Sequence, residues 1–155
     1  TSDELLLDGG EVLPVGDAVR RRAARPRLVT EPVTPEVPRR VPKPWGQELI
    51  WALTDRYCGK LITIDAGRRL SLQYHDRKDE AILVTSGRLR LLLENDRGED
   101  EIRELGPGDS AHVPVGRRHR FEAIERVQLV EVSTPELDDV VRIADDFGRE
   151  GTSAP

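Results

Sequence analysis

The sequence is short of cysteine, methionine and aromatic residues. It has one cysteine, Cys58, no methionine, and an aromatic share of 4%. A single cysteine excludes an internal disulfide and is typical of the reducing cytoplasm, which is the location we predict. Cys58 has no histidine near it in sequence, which favours a packed thiol over a nucleophile. Because methionine is absent even at position 1, we predict that the chain begins after a processed or truncated start.

The sequence also lacks long hydrophobic runs and an excess of positive charge. Its 155 residues carry 24 Lys and Arg against 29 Asp and Glu, which gives a net charge of −5. This balance argues against binding to nucleic acid or to an anionic membrane. No apolar run approaches the ~20 residues of a membrane span, and no signal-peptide pattern is present. We therefore predict that neither nucleic acid nor a membrane is a partner of this protein.

Proline and arginine are concentrated in residues 1–41. Five of the eleven prolines lie in this stretch: Pro14, Pro26, Pro32, Pro35 and Pro38. Proline cannot donate to a strand ladder, so this stretch is excluded from the centre of a sheet. We predict an extended N-terminal arm over 1–41, with candidate edge strands at 5–7 and 12–15 and a linker at 37–41. A barrel is predicted over 42–149 and a flexible tail over 150–155.

From Lys43 onward, short apolar segments alternate with turn residues. The pattern predicts strands at 47–53, 59–65, 70–75, 80–86, 88–94, 101–105, 110–113, 119–123 and 127–133. Many short strands joined by regular turns are typical of an all-β sandwich or closed barrel. After Ser133 two interpretations stay open. The capping box that ends at Glu136 predicts a short helix over 137–144, and the apolar run 140–143 equally predicts a last strand.

One predicted strand differs from an ordinary half-exposed strand, because we expect its polar face, and not its apolar face, to point into the protein. Strand side chains alternate, so this strand has one polar and one apolar face. The polar face consists of Arg69, Ser71, Gln73 and His75. The apolar face consists of Leu70, Leu72 and Tyr74. We expect the apolar face to pack against the N-terminal arm, from the same subunit or from a partner.

Gln73 and His75, at the end of the polar face, are potential metal ligands, and Glu80 and His119 can complete the set. Two imidazoles, one carboxylate and one amide oxygen suit a divalent ion, with zinc favoured and iron(II), manganese or nickel as alternatives. The other interpretation is a metal-free barrel in which the same side chains form a buried hydrogen-bond network. Burying an unpaired carboxylate is costly, which favours the metal. The third histidine, His112, precedes a turn and is interpreted as structural.

The spacing of these residues matches two long motifs. Gly67, five residues, Gln73-x-His75, four residues, Glu80, six residues and Gly87 follow the first motif of the cupin superfamily, where histidine usually stands in place of Gln73. Gly108, five residues, Pro114-x-Gly116, two residues and His119 follow the second motif, whose usual closing asparagine is Ala123 here. The chain resembles the cupins, which implies a jelly-roll barrel, or double-stranded β-helix, with an internal metal site.

A closer likeness covers residues 42–149. The chain is similar to the cupin domain of type II phosphomannose (mannose-6-phosphate) isomerases in Lys43-Pro-Trp-Gly46, Tyr57 to Lys60, Leu70-Ser-Leu-Gln73-x-His75, Pro114-x-Gly116, His119-Arg120, Asp138-Asp-Val-Val-Arg142 and Phe147-Gly-Arg149. In that family Gln, His, Glu and His hold the metal, so the resemblance implies that Gln73 is a ligand. The family positions of Lys60, Ser71 and Arg120 also match.

Three departures separate the chain from that family. A histidine-rich stretch after the first ligands is Asp76-Arg77 here, the usual arginine is Lys78, and the usual His-Trp after the glutamate is Ala81-Ile82. Arginine and lysine are not equivalent at a phosphate or carboxylate. The guanylyltransferase domain that is often fused to this cupin does not lie within these 155 residues. The resemblance therefore transfers the fold and the metal site better than the substrate.

Several residues around the predicted metal are candidates for binding and catalysis. We predict that Arg69 and Ser71 bind the substrate because they share the ligand face, and that Arg120 does so because of the family match. Lys60 lies on an apolar strand face, where a lysine either snorkels to solvent or reaches the site. The family match favours a catalytic Lys60, and Lys78 and Asp79 are both candidate bases.

Together these features predict a metal-dependent aldose–ketose isomerase of a sugar phosphate such as mannose 6-phosphate. The metal would polarise the C1 and C2 oxygens while a base moves a proton. By family resemblance we expect a homodimer. One alternative is a cupin enzyme of another class, an iron oxygenase, cyclase or epimerase, because two histidines and a carboxylate also suit iron(II). The other is a non-catalytic sugar-binding cupin.

Overall fold

A computed structural model describes residues 37–152, and this part of the chain is built from strands and turns without a helix. It contains β1 Arg39–Lys43, β2 Gly46–Leu53, β3 Cys58–Ile64, β4 Leu72–Tyr74, β5 Glu80–Ser86, β6 Leu89–Glu94, β7 Asp100–Leu105, β8 Ser110–Val113, β9 His119–Ala123, β10 Val127–Ser133, β11 Val141–Ala144 and β12 Gly151–Thr152. No segment of this region could cross a bilayer as a helix. The strand interpretation of the stretch after Ser133 is confirmed, and the helical one is wrong.

The strands form two six-stranded antiparallel sheets. Their orders are β1-β2-β3-β10-β5-β8 and β12-β11-β4-β9-β6-β7. Apolar side chains of both sheets meet in one core, with Ile62 and Val84 from the first sheet and Leu91 and Phe121 from the second. In β5, Glu80, Ile82 and Val84 are buried while the residues between them are exposed, as the alternation of a strand requires. The predicted all-β jelly-roll barrel is confirmed.

Four strands, β5, β8, β9 and β10, begin and end where the sequence predicted, and the N-terminal region differs. The candidate strands at 5–7 and 12–15 lie outside the described residues. The stretch 37–41, predicted as a linker, contributes to β1, which pairs with β2 at the edge of the first sheet. An edge position tolerates Pro42 because its outer side needs no donor. Strand β1 includes residues on both sides of the predicted boundary between positions 41 and 42. The division of the chain into arm, barrel and tail stays a prediction.

A one-residue register shift precedes β4. Gln73 lies opposite His119, and an uninterrupted antiparallel ladder would place Arg69 opposite Ala123. Arg69 instead bridges to Glu122. As a result the consecutive residues Leu70 and Ser71 are both buried, at 9% and 2% exposure. The predictions that Leu70 faces outward and that Arg69 faces the ligands are therefore wrong.

Gly87 closes the tight turn between β5 and β6. Its φ of +78° lies in the left-handed region, and a Cβ there would be 2.1 Å from the carbonyl oxygen of Arg126. Only glycine fits both constraints. The turn therefore fixes where β5 ends.

Candidate metal centre

Three of the predicted ligands meet at one end of the barrel interior. His119 begins β9 and lies opposite Gln73 of β4, His75 directly follows β4, and Glu80 begins β5. His75 and His119 are 1% exposed and Glu80 is 3% exposed. Potential ligand atoms of these three residues all lie within 4.8 Å of one another. The fold thus brings two histidines and a carboxylate from three strands into one buried cluster.

Both imidazoles turn the same nitrogen toward the carboxylate. The Nε2 atom of His75 lies 3.7 Å from Oε2 of Glu80, and Nε2 of His119 lies 3.3 Å from Oε1. The Nδ1 atom of His75 contacts the carbonyl oxygen of Asp139, and Nδ1 of His119 lies 3.0 Å from that of Arg117. A carbonyl only accepts hydrogen bonds, so in each neutral ring Nδ1 carries the proton and Nε2 keeps a lone pair. This is the usual orientation of metal-binding histidines.

The cluster is short of hydrogen-bond donors. Neither Nε2 of His75 nor Oε1 of Glu80 has a hydrogen-bond partner within the described region, although both atoms are buried. Burying such acceptors without a partner is costly. A divalent cation would satisfy all of them at once, and imidazole with carboxylate is a suitable donor set for zinc, iron(II), manganese or nickel. The residues therefore fit the metal that the sequence predicted.

Gln73 lies beside the cluster but presents its amide nitrogen to it. Nε2 of Gln73 is 3.4 Å from Nε2 of His119, and its Oε1 accepts a hydrogen bond of 2.6 Å from Ser71 Oγ. A half-turn of the terminal amide exchanges the oxygen and the nitrogen without moving the rest of the side chain. Gln73 is thus placed to donate an oxygen as fourth ligand, and Ser71 is placed to orient that amide.

Two lysines and a second glutamate form a buried charge network next to the ligands. The ammonium of Lys78 contacts the carboxylate of Glu80 and lies 2.8 Å from Oε1 of Glu131. The ammonium of Lys60 lies 3.4 Å from the same Glu131 oxygen and 3.8 Å from Oε2 of Glu48. Lys60, Lys78 and Glu131 are all buried. The sequence predicted the two lysines at the site and missed both Glu131 and Glu48.

In three members of the network, Lys78, Glu80 and Glu131, the pKa is shifted toward the charged form. Burial alone would lower the pKa of Lys78, but Glu131 and Glu80 outweigh it and raise that pKa above its ordinary value. Burial would raise the pKa of Glu80 and of Glu131, but nearby Lys78 lowers both, and the pKa of Glu80 lies well below its ordinary value. The raised pKa favours the ammonium form of Lys78, paired with Glu80 and Glu131, and this disfavours its predicted role as a base. Its role in catalysis stays a prediction.

Arg69 and Arg120 lie on the outer face of the second sheet, away from the ligands. They line a separate groove with Arg90 and Glu122. Arg69 binds Asp146 through two hydrogen bonds of 2.6 and 2.9 Å, and Arg120 donates to the carbonyl oxygen of Ala144. The register shift turns Arg69 outward, and Arg120 follows the inward His119 and so faces the other way. The expectation that these guanidiniums bind substrate beside the metal is corrected.

His112 and Asp79 are also outside the site. His112 is exposed, and its Nε2 lies 2.6 Å from Oδ1 of Asp79 on the outer surface. Its side chain is 60% exposed. This arrangement agrees with the interpretation that His112 is not a ligand, and it makes His112 a matched control for the two buried histidines.

A cavity of about 170 Å³ opens onto the ligands. This is several times the ~30 Å³ that one water molecule occupies in the liquid, so a small ligand can enter. Its wall includes the predicted residues Ser71, Lys60 and Lys78. It also includes residues that the sequence did not assign to the site, namely Lys43, Glu48, Glu131, Asp138, Arg142 and Arg149.

Asp139 ties the turn between His75 and Glu80 to the segment before β11. Its carboxylate accepts hydrogen bonds from the backbone N–H groups of Asp76, Arg77 and Lys78 at 3.2, 2.6 and 2.7 Å. Burial would raise its pKa, but these donors lower it below the ordinary value. The side chain thus fixes the loop that separates two ligands.

We expect Asp139→Ala to lower the free energy of unfolding by about 1–3 kcal/mol, because three backbone donors lose a charged acceptor. Chemical denaturation monitored by circular dichroism measures the change. Asp55→Ala, at an exposed position, is the control and should change stability by less than about 0.5 kcal/mol. Equal effects of the two substitutions would show that the loop does not depend on Asp139.

Comparison with known proteins gives matches over most of the chain. The family described as "Mannose-6-phosphate isomerase C-terminal" matches residues 33–145. A mannose-1-phosphate guanylyltransferase of Escherichia coli (strain K12) is 36% identical over 118 residues, which are 73% of this chain and 24% of that protein. The chain therefore spans about a quarter of the length of that curated relative.

Solved structures match the same barrel. KdgF from a Halomonas species superposes with a TM-score of 0.56 at 26% identity, covering 64% of this chain and 88% of that one. A structure of Bacillus subtilis oxalate decarboxylase, determined in work on its Mn(II) centres, gives a TM-score of 0.59 at 19% identity. It covers 67% of this chain and 29% of that one. At that level of identity the second likeness shows the fold alone.

Proposed function

This chain belongs to the mannose-6-phosphate isomerase C-terminal family, and from that premise we propose that it is a metal-dependent aldose–ketose isomerase of a sugar phosphate of the mannose 6-phosphate type. The family description refers to the segment that the chain matches. The guanylyltransferase name belongs to a relative about four times longer than the matched segment. For this reason the isomerase reaction is the better assignment for the barrel.

The observation that carries the proposal is the buried cluster of His75, Glu80 and His119 at the end of an accessible cavity. A divalent ion held by these residues and by the Gln73 oxygen would supply a Lewis acid for the two adjacent substrate oxygens. Each imidazole is oriented for this by a backbone carbonyl. His75, Glu80 and His119 are buried, and electrostatic effects are stronger at buried groups than in water.

The chain's own cations can stabilise the charge that the reaction develops. Isomerisation develops negative charge on the two oxygens while a proton moves between the carbons. Lys60 and Lys78 line the same cavity wall as the ligands, and both ammonium groups lie beside Glu131. We assign them to the stabilisation of that charge. Ser71 holds Gln73 and is assigned to ligand positioning rather than to direct substrate binding.

We expect the protein loaded with zinc, manganese, iron(II) or nickel to convert mannose 6-phosphate to fructose 6-phosphate. A coupled assay for fructose 6-phosphate measures the reaction, with chelator-treated protein and free metal salt as blanks. Zinc is the metal that we expect to find bound after purification. No turnover with any of the four metals would remove this proposal.

A second candidate function is an iron(II) oxygenase, which the two-histidine, one-carboxylate cluster favours. Iron in the purified protein together with substrate-dependent oxygen uptake would support it over isomerisation. If the protein is a cyclase, an epimerase or a non-catalytic sugar-binding cupin, it would use the same cavity, and no oxygen uptake would be measured. The homodimer and the cytoplasmic location stay predictions.

A further inference from the structure

Arg142 lies on the same face of the second sheet as Gln73 and His119, two of the predicted metal ligands. It lies opposite Gln73 in the pairing of β11 with β4, and Gln73 lies opposite His119 in the pairing of β4 with β9. Residues directly opposite in antiparallel strands project from the same face of the sheet. Arg142 therefore faces the cavity, which it lines. Two strand spacings separate its Cα from that of His119, or about 10 Å.

The guanidinium of Arg142 has no close ion pair within the described part of the chain, although the charges of Asp145 and Glu48 partly oppose the fall in its pKa. None of the ion pairs within 4.0 Å among residues 37–152 includes Arg142, and its Nε atom is buried without a hydrogen-bond partner. Arg149, the other arginine of the wall, is held by two hydrogen bonds of 2.9 and 2.8 Å to Asp145. Burial lowers the pKa of Arg142, and the nearby charge of Arg149 lowers it further.

A partly buried guanidinium with a free donor is costly unless an anion joins it. The planar fork of arginine matches the oxygens of a phosphate group in a bidentate way. Two other cations line the same cavity, but Arg149 is paired with Asp145 and Lys43 lies 3.8 Å from Oε2 of Glu48. Arg142 is the arginine of this wall that has no ion pair among the described residues.

We propose that Arg142 binds the phosphate group of the substrate while the opposite end of the sugar reaches the ligands. This rests on the proposed function and adds to it the group that recognises the phosphate. Arg142 lies opposite Gln73 and lines the same cavity as the ligands, so a single sugar phosphate can contact both. Arg149 supports the site through its charge, while its own donors remain on Asp145.

Calorimetric titration of the zinc-loaded protein with mannose 6-phosphate and with mannose tests the assignment. We expect the wild type to bind the phosphorylated sugar more tightly. Arg142→Gln should weaken that binding about 10- to 100-fold, because it removes charge-assisted hydrogen bonds, and should leave the affinity for mannose unchanged. Arg126→Gln removes an exposed arginine paired only with Asp65 and is the matched control. It should leave both affinities unchanged.

The outcomes separate this inference from the isomerase proposal. Loss of the preference for phosphate in Arg142→Gln, without turnover by the wild type, would keep the phosphate site and remove the isomerase. An undiminished preference in Arg142→Gln, or no preference in the wild type, would overturn the site whatever the activity. If Arg142→Gln fails to fold, Arg142→Lys provides the same comparison, since it keeps the charge and loses the fork. It should recover only part of the wild-type preference.

Discussion

Replacing His75 with alanine is expected to release the metal and to abolish turnover. The substitution removes one of the two imidazoles whose Nε2 atoms face Glu80. Loss of a partner outside the coordination sphere typically weakens metal binding about 10- to 100-fold, and loss of a ligand should exceed that. Elemental analysis after dialysis against a competing chelator should show about one equivalent of metal in the wild type and almost none in His75→Ala. His119→Ala should behave in the same way.

His112→Ala is the control for this prediction. It removes the third histidine of the chain, which lies on the surface against Asp79. It should keep both the metal and the activity. Retention of a full equivalent by His75→Ala, or equal loss in His112→Ala, would contradict the assigned centre. Metal-free wild-type protein with full stability would instead favour the buried hydrogen-bond network as the role of these residues.

Replacing Glu131 with glutamine is expected to cost about 3–5 kcal/mol of unfolding free energy. Glu131 is 3% exposed, and its carboxylate lies between the ammonium groups of Lys78 and Lys60 at 2.8 and 3.4 Å. The amide keeps the shape but removes the charge, so two buried cations lose their shared partner. Lys60 is then left with Glu48 at 3.8 Å, which is a weaker interaction. Denaturant unfolding followed by circular dichroism measures the loss.

Glu104→Gln provides the comparison with an exposed ion pair. Glu104 lies 2.6 Å from Arg88 and 3.7 Å from Arg90, and its side chain is 47% exposed. Surface pairs of this kind contribute about 0–1 kcal/mol. If Glu131→Gln were no more destabilising than Glu104→Gln, burial of the network would have no energetic consequence. That result would also weaken the role of Lys60 and Lys78 as fixed cations at the site.

The fold could be predicted because its determinants are local. Alternation along β5 and β10 and glycine at turns such as Gly87 set strand limits that the structure reproduces. The ligand cluster could be predicted for the same reason. His119 and Glu80 begin strands, so the motif spacing alone determines their position at one end of the barrel.

The substrate residues could not be predicted in the same way. Alternation from Gln73 back to Arg69 assumes an unbroken ladder, and the one-residue shift before β4 has no residue signature comparable to a turn glycine. Arg69 was therefore assigned to the wrong face. The opposite error concerns Glu131. Glu131 alternates along β10 with Val127 and Leu129, so its side chain faces inward as theirs do. This pattern is present in the sequence but did not enter the prediction.

The contacts of His75 and His119 with main-chain oxygens determine which mutations can disturb the orientation of the two rings. Main-chain oxygens at positions 139 and 117 orient the rings, and every amino acid supplies such an oxygen. Mutation at either position can alter a side chain without depriving a ring of its acceptor. The orientation of both rings therefore depends on the path of the main chain, while the Asp139 side chain acts separately by holding the loop between two predicted ligands.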